Sequence, residues 1–144
     1  MQTGAGEHMV YVTRKSRFCA SHRLHNPSWD EARNRAVFGK CNNPNGHGHN
    51  YEIEVTVAGT PPGDTGMVID LKRLSEIIEA ELVDKVDHKH LNHDVPFMQG
   101  IIPTAENMAT AFWKVLEPHI REGRLFSIRV FESENNFVEY RGAR

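Results

Sequence analysis

Apolar and polar side chains alternate most cleanly between His47 and Val57. His47, His49, Tyr51, Ile53, Val55 and Val57 fall on one side, against Asn50, Glu52, Glu54 and Thr56 on the other. A period of two is that of a strand with one face in a core and one in water. Upstream, VYVTRKSRF (Val10 to Phe18) is rich in β-branched and aromatic residues and predicts a first strand. Between the two, NPSWDEARNRAVFG carries Ser28-x-x-Glu31, a capping box that predicts a short helix, and Asn42 to Gly46 must turn. After a TPPGDTG loop and a short extended MVID, Leu71, Leu74, Ile77, Ile78 and Leu82 keep helical spacing and predict a helix ending near Val86. A polar, histidine-laden loop, DHKHLNHDVPFMQGIIP, leads to Pro103-Thr104, which opens a second amphipathic helix. There Ala105, Met108, Ala109, Phe112, Val115 and Leu116 line one side. RLFSIRVFE and NFVEYR, joined by Ser133-Glu134-Asn135, predict a closing hairpin. The ββααββ order predicts an α+β domain, a four-stranded antiparallel sheet with two helices on one face.

Composition narrows the function classes. The chain has 144 residues, 39% hydrophobic and 25% charged, with a formal net charge of -2. That is enough for one cored domain over residues 9–144, preceded by a Gly-rich, patternless tail at 1–8. Nothing marks the chain as disordered or as a general binder of nucleic acid. No apolar run approaches the roughly 20 residues of a membrane span, and the N-terminus lacks a signal-peptide design, so the expected location is cytoplasmic. Two cysteines, Cys19 and Cys41, are too few for a disulfide framework. The nine histidines are the real excess.

His47 and His49 lie two apart on a strand, so both imidazoles project from one face with Cα atoms roughly 6.6 Å apart. Such a pair can converge on one ion, and a third ligand is required. Phe18, Ala20 and His22 continue the alternation of Val10 and Val12, which puts His22 on the apolar side of the first strand or just past its end. If the first two strands pair, three histidines meet. Three neutral imidazoles describe a catalytic zinc with an open position, whereas Cys41 as a fourth ligand would describe a closed one. His88, His90 and His93 form a rival set, in a loop where spacing says little about direction. Cys41 is either a small hydrophobe at a loop edge or, beside a bound cation, a base or nucleophile. Cys19 has the opposite strand parity to Phe18 and His22 and reads as structural. Glu132 shares parity with Phe126, Ile128 and Val130, so either its carboxylate points to the apolar side, where it needs a partner, or the strand has ended. Asp87-His88 is either a proton-transfer pair or a polar helix exit.

Six blocks, CASHRL, FGKCNNPNGHGHNY, GMVIDL, DHKHLNHDVPF, PTAEN and VFESENN, resemble the 6-pyruvoyltetrahydropterin synthase family in order and over nearly the whole chain from Met9 to Arg141. The resemblance implies the T-fold, in which three sheets close into a barrel and two such trimers form a homohexamer with active sites between subunits. It implies Zn2+ on His22, His47 and His49, with Cys41 as general base assisted by Asp87 and His88. It implies that Glu132 anchors the pterin ring and takes part in the catalytic charge relay, with Thr104 and Glu106 of PTAEN in the ring-recognition segment. The implied substrate is 7,8-dihydroneopterin triphosphate; Lys40, Arg23 and Lys89 are each either a triphosphate contact or, as the preferred reading, solvated surface charge. A close relative of the family takes the same substrate and zinc to 6-carboxytetrahydropterin, releasing acetaldehyde. The long Cys-Asn-Asn-Pro-Asn-Gly-His-Gly-His connection looks more like the pyruvoyl enzymes. A third reading is a zinc and pterin binder without turnover.

Overall fold

A computed structural model describes residues 8–143, so the tail read at 1–8 lies, but for its last residue, outside the described residues. Strands β1 (Val10–His22) and β2 (His47–Gly59) pair antiparallel along their full length, with His22 opposite His47. The first strand thus runs four residues past Phe18, and the imidazole of His22 stands on it rather than beyond it. Strand β4 (Arg124–Ser133) joins β2, and β5 (Asn136–Tyr140) joins β4 as the predicted hairpin.

The sheet has five strands, not four, in the order β3 (Lys89–His90), β1, β2, β4, β5. The extra strand β3 lies inside the stretch read as a loop and pairs parallel with Ala20 and Ser21 of β1, so the sheet is mixed. Two residues carry no periodicity; they became a strand because the free edge of β1 supplies donors and acceptors that need partners. His88 N donates to Cys19 O and Leu91 N to Ser21 O (2.8 Å), extending the same zipper.

Helix α1 (Glu31–Phe38) forms where expected, but Asp30 is its cap, accepting from Arg33 N at 2.8 Å, in place of the Ser28–Glu31 box. The long helix runs as α2 (Leu71–Ile78), a π turn over Glu79–Val83 and a last turn α3 (Asp84–Val86). It ends where the spacing placed it, although Leu71 itself is exposed. Thr104 caps α4 (Ala105–Leu116) by accepting from Asn107 N. Leu74, Ile78 and Leu82 from the first helical run and Met108, Phe112 and Leu116 from α4 share one core with Tyr51, Ile53, Val55 and Val57 of β2. Burying these apolar faces against one side of the sheet is the main stabilising term. Among the described residues no helix is long and apolar enough to cross a membrane.

Two bulges in β4 reset its parity. Thr56 pairs with Ser127 but Val57 with Leu125, so Phe126 is an extra residue; Leu125, not Phe126, joins Ile128 in the core, and Phe126 packs edge-on against Tyr11 at 4.7 Å. Phe131 pairs with Phe137 and Ser133 with Asn136, which leaves Glu132 unpaired. A bulge of this kind re-aims one side chain while the strand continues.

Candidate metal centre and active site

The pairing of β1 with β2 brings His22, His47 and His49 together at the end of the sheet. Their candidate ligand nitrogens all lie within 4.8 Å of one another. His22 Nε2 and His47 Nε2 are 3.0 Å apart, close to the roughly 3.3 Å between two nitrogens on one tetrahedral zinc. His22 is 1% exposed and its Nδ1 donates to the carbonyl oxygen of Pro103 at 2.7 Å, with the buried hydroxyl of Tyr51 at 3.3 Å. A ring held through Nδ1–H presents the lone pair of Nε2, the arrangement that orients metal-binding histidines. His49 Nε2 and His47 Nδ1 are buried without a hydrogen-bond partner. An unpartnered buried nitrogen is costly unless something else takes its lone pair, and at His49 Nε2 a metal ion would do so; His47 faces His22 through Nε2, so its buried Nδ1 is not the nitrogen that such an ion would take.

Electrostatics support neutral imidazoles. Burial pushes the His22 imidazole down to about 4, against a pull upward from its bond to Pro103 O and a further push down from His47 and His49. Burial also lowers His49, although the nearby Glu132 carboxylate draws it back up. Burial raises the Tyr51 phenol far above its ordinary range, so it stays protonated. Neutral imidazole is the form that binds metal.

The bulged Glu132 brings its Oε2 to 3.9 Å from His22 Nε2 while its side chain keeps 37% exposure. Neither simple reading of the sequence describes it: the strand goes on, and the carboxylate points to the histidine cluster rather than into the apolar core. Cys41 sits in a 3-10 turn, Gly39–Asn42, and shares a cavity of about 790 Å³ with His47 and His49. Its carbonyl accepts from Leu24 N at 2.8 Å, two residues past His22, while Asn42 Nδ2 donates to Leu24 O at 2.8 Å. Farther out, the fully buried Asn34 donates to the carbonyls of Asn26, Trp29 and Asp30 and accepts from Asn26 N. These amides, with no apolar core around α1, hold the connection that carries Cys41; buried asparagines were the signal that sequence reading passed over.

Asp87 and His88 contact each other, Oδ2 to Nδ1 at 3.0 Å, and Asp87 Oδ1 accepts from Cys19 N at 2.9 Å. That backbone bond and the neighbouring His88 hold the Asp87 carboxyl below its usual range. His88 has φ 61, the positive value that costs a non-glycine residue energy. The cavity beside His88 is lined by Cys19, His49, Lys89, His90 and Asp94, whereas Cys41 lines a different one; within one chain Cys41 and His88 do not share a cavity, although His49 borders both. His90 and His93 stack at 4.4 Å but do not join a metal-binding group with His88 among the described residues. Cys19 is exposed, its Sγ 2.9 Å from Asn50 Oδ1. Thr104 serves as helix cap and Glu106 is exposed in the first turn of α4, directly after the Pro103 carbonyl that receives His22.

Comparison with known proteins agrees with this geometry. A family profile described as 6-pyruvoyl tetrahydropterin synthase matches residues 11–143. The human protein named 6-pyruvoyl tetrahydrobiopterin synthase is 43% identical over 131 residues, covering 91% of this chain and 90% of that one. A solved structure of the Caenorhabditis elegans 6-pyruvoyl tetrahydropterin synthase superposes with a TM-score of 0.89 at 36% identity, covering 94% of this chain and 96% of that one. A Rickettsia conorii protein named 6-carboxy-5,6,7,8-tetrahydropterin synthase is 27% identical over 150 residues, covering 91% of this chain and 99% of that one. The chain belongs to the 6-pyruvoyl tetrahydropterin synthase family.

Proposed function

We propose that the chain is a zinc-dependent lyase that converts 7,8-dihydroneopterin triphosphate to 6-pyruvoyltetrahydropterin with loss of triphosphate. The observation that carries this reading is the three-histidine cluster, with Glu132 and the Cys41 cavity beside it. His22, His47 and His49 would hold the ion, which supplies Lewis-acid polarisation of the substrate's oxygenated side chain. Cys41 Sγ takes a proton from a side-chain carbon, and the substrate's C–O bond to triphosphate breaks in an elimination. Glu132 accepts from the adjacent N–H groups of the pterin ring, an amidine-like pair that a carboxylate binds in parallel. Thr104 and Glu106, at the start of α4, extend that recognition. Asp87 holds His88 so that its imidazole can relay the proton.

Cys41 and His88 lie in separate cavities of one chain, which supports a site completed between subunits of a homohexamer, two trimers whose sheets close into barrels. The absence of any long apolar helix among the described residues is compatible with a cytoplasmic enzyme. The 6-carboxy product, made with release of acetaldehyde in deazapurine biosynthesis, is the second reading; 27% identity to a protein of that name against 43% to the human synthase favours the pyruvoyl reaction. A pterin binder without turnover is the third, and the retention of Cys41, His88 and Glu132 speaks against it. Incubating the zinc protein with dihydroneopterin triphosphate and identifying products by mass decides among them. Triphosphate with a pyruvoyl pterin is expected; acetaldehyde with a carboxy pterin would select the second reading, and no triphosphate release the third.

A further inference from the structure

The peptide groups on either side of Arg23 are gripped by one side chain from a distant part of the chain. Asn92 Oδ1 accepts from Arg23 N at 2.8 Å, and Asn92 Nδ2 donates to Arg23 O at 2.9 Å. Main-chain pairing along this edge of β1 stops short of Arg23: β3 faces Ala20 and Ser21, and Leu91 N reaches Ser21 O at 2.8 Å. The chain then turns, with His93 N and Asp94 N both bonded to His90 O, so the backbone of Asn92 leaves the edge. Its side chain takes over the pairing. An amide offers a donor and an acceptor side by side, as the backbone of a neighbouring strand would.

Those bonds orient successive planar units. Arg23 N belongs to the peptide plane that carries the His22 carbonyl, and Arg23 O to the plane that carries Leu24 N. On one side lies His22, whose backbone direction is set by the first plane and whose imidazole joins the histidine cluster. On the other, Leu24 N donates to Cys41 O at 2.8 Å, Arg23 Nε to Asn42 O at 3.0 Å, and Asn42 Nδ2 to Leu24 O at 2.8 Å. Cys41 and Asn42 thus hang on the segment that Asn92 grips. The grip is itself anchored, because Leu91 is fully buried and Asn92 O accepts from Gln99 Nε2 at 3.4 Å.

We propose that Asn92 is a positioning residue for both the metal ligand His22 and the Cys41 thiol, setting the two through the backbone of Arg23; this rests on the zinc enzyme proposed above. It acts by restricting rotation of the His22–Arg23 and Arg23–Leu24 peptide units, so that the imidazole and the turn bearing the thiol keep a fixed relation. Small errors in the direction of a ligand or a base weaken metal binding and proton transfer steeply. Every contact of the clamp lies within one chain, so it serves equally a site that a second subunit completes. Sequence reading passed Asn92 by, because a lone asparagine in a polar loop has no period and its partner is 69 residues away.

Asn92→Ala and Asn92→Asp test this, with Gln99→Ala as a control that loses a bond to Asn92 in the same loop and none to Arg23. The readouts are zinc affinity by chelator competition and, in metal-stripped protein, alkylation rates of Cys41 and Cys19 resolved by peptide mass. Asn92→Ala is expected to weaken zinc binding about tenfold or more and to lower kcat by more than it raises KM. With its supporting hydrogen bonds gone, Cys41 should be alkylated about threefold faster or more, while Cys19, held by Asn50, is unchanged. Asn92→Asp keeps the acceptor for Arg23 N but not the donor to Arg23 O; it is expected to fall between, with Gln99→Ala like the unaltered protein. Unchanged zinc affinity and Cys41 reactivity in Asn92→Ala, beside a lower melting temperature, would reduce Asn92 to a structural clamp and overturn the proposal. Equal losses in Gln99→Ala, or faster alkylation of both cysteines alike, would overturn it too, since the whole loop would then have loosened. If Asn92→Ala fails to fold, Asn92→Asp decides by the same readouts against Gln99→Ala. If the unaltered protein binds no zinc, the metal reading fails and Cys41 alkylation alone decides the clamp.

Discussion

The Nδ1 of His22 lies 2.7 Å from the carbonyl oxygen of Pro103, joining the end of the first strand to the residue just ahead of the cap of α4. This one bond fixes the tautomer of a buried imidazole and ties the histidine cluster to the segment proposed to read the pterin. The proposed metal ligand and the start of α4 are thereby linked directly.

Removing an imidazole should remove the metal. His47→Ala and His49→Ala are expected to lower bound zinc from about one ion per chain to near zero, read by elemental analysis of dialysed protein. Neither ring belongs to the apolar core, so far-ultraviolet circular dichroism should stay unchanged. Full zinc retention in both variants would rule out the cluster as the metal site.

Cys41→Ala should reduce turnover by about a hundredfold or more while zinc content is kept, because the backbone carbonyl of residue 41, not its thiol, bonds to Leu24. Zinc lost together with activity would instead make Cys41 a fourth ligand.

The metal-stripped protein should weaken as pH falls. Folded His22 sits near 4 against an ordinary value of 6.5, and His49 is lowered as well. Between those values the unfolded chain binds protons that the folded chain refuses, so stability is complete above about pH 6.5 and drains away toward pH 4. His22 alone accounts for roughly 3 kcal/mol over that window. Chemical denaturation at pH 7.5 and pH 5 reads the difference, and a flat profile would contradict neutral buried imidazoles.

His88→Gly should stabilise the fold and impair the reaction. The φ of 61 suits glycine, and the exposed imidazole contributes no core packing. A gain of about 1 kcal/mol is expected with turnover reduced. Loss of stability would mean that the Asp87–His88 contact outweighs the backbone cost.

Gly46→Ala should damage the metal cluster at a distance. Gly46 has φ +76, and a Cβ there would lie 2.9 Å from His90 Nε2 and 3.0 Å from the carbonyl oxygen of His22. Crowding the backbone of a ligand should weaken zinc binding and cost more than about 1 kcal/mol of stability. Zinc affinity from chelator competition and a thermal melt measure both effects.

By itself the sequence determined what local periodicity can carry: two imidazoles on one face of β2, the side of β1 that bears His22, the spans of both long helices and the closing hairpin. Side-chain direction in a strand and on a helix follows from backbone period, so residues near one another in sequence decide it. Six motif blocks added the family and the expected roles of Cys41, Asp87, His88 and Glu132. Tertiary structure alone decided the rest. Strand β3 exists because the edge of β1 offered its hydrogen bonds, and Glu132 reaches the histidines because two residues of β4 oppose one step of β5. Pro103 holds His22, and Asn92 holds Arg23, because segments distant in sequence pack side by side. Such partners are chosen by which backbone and side-chain groups are left unsatisfied after packing, a quantity that no stretch of sequence contains on its own.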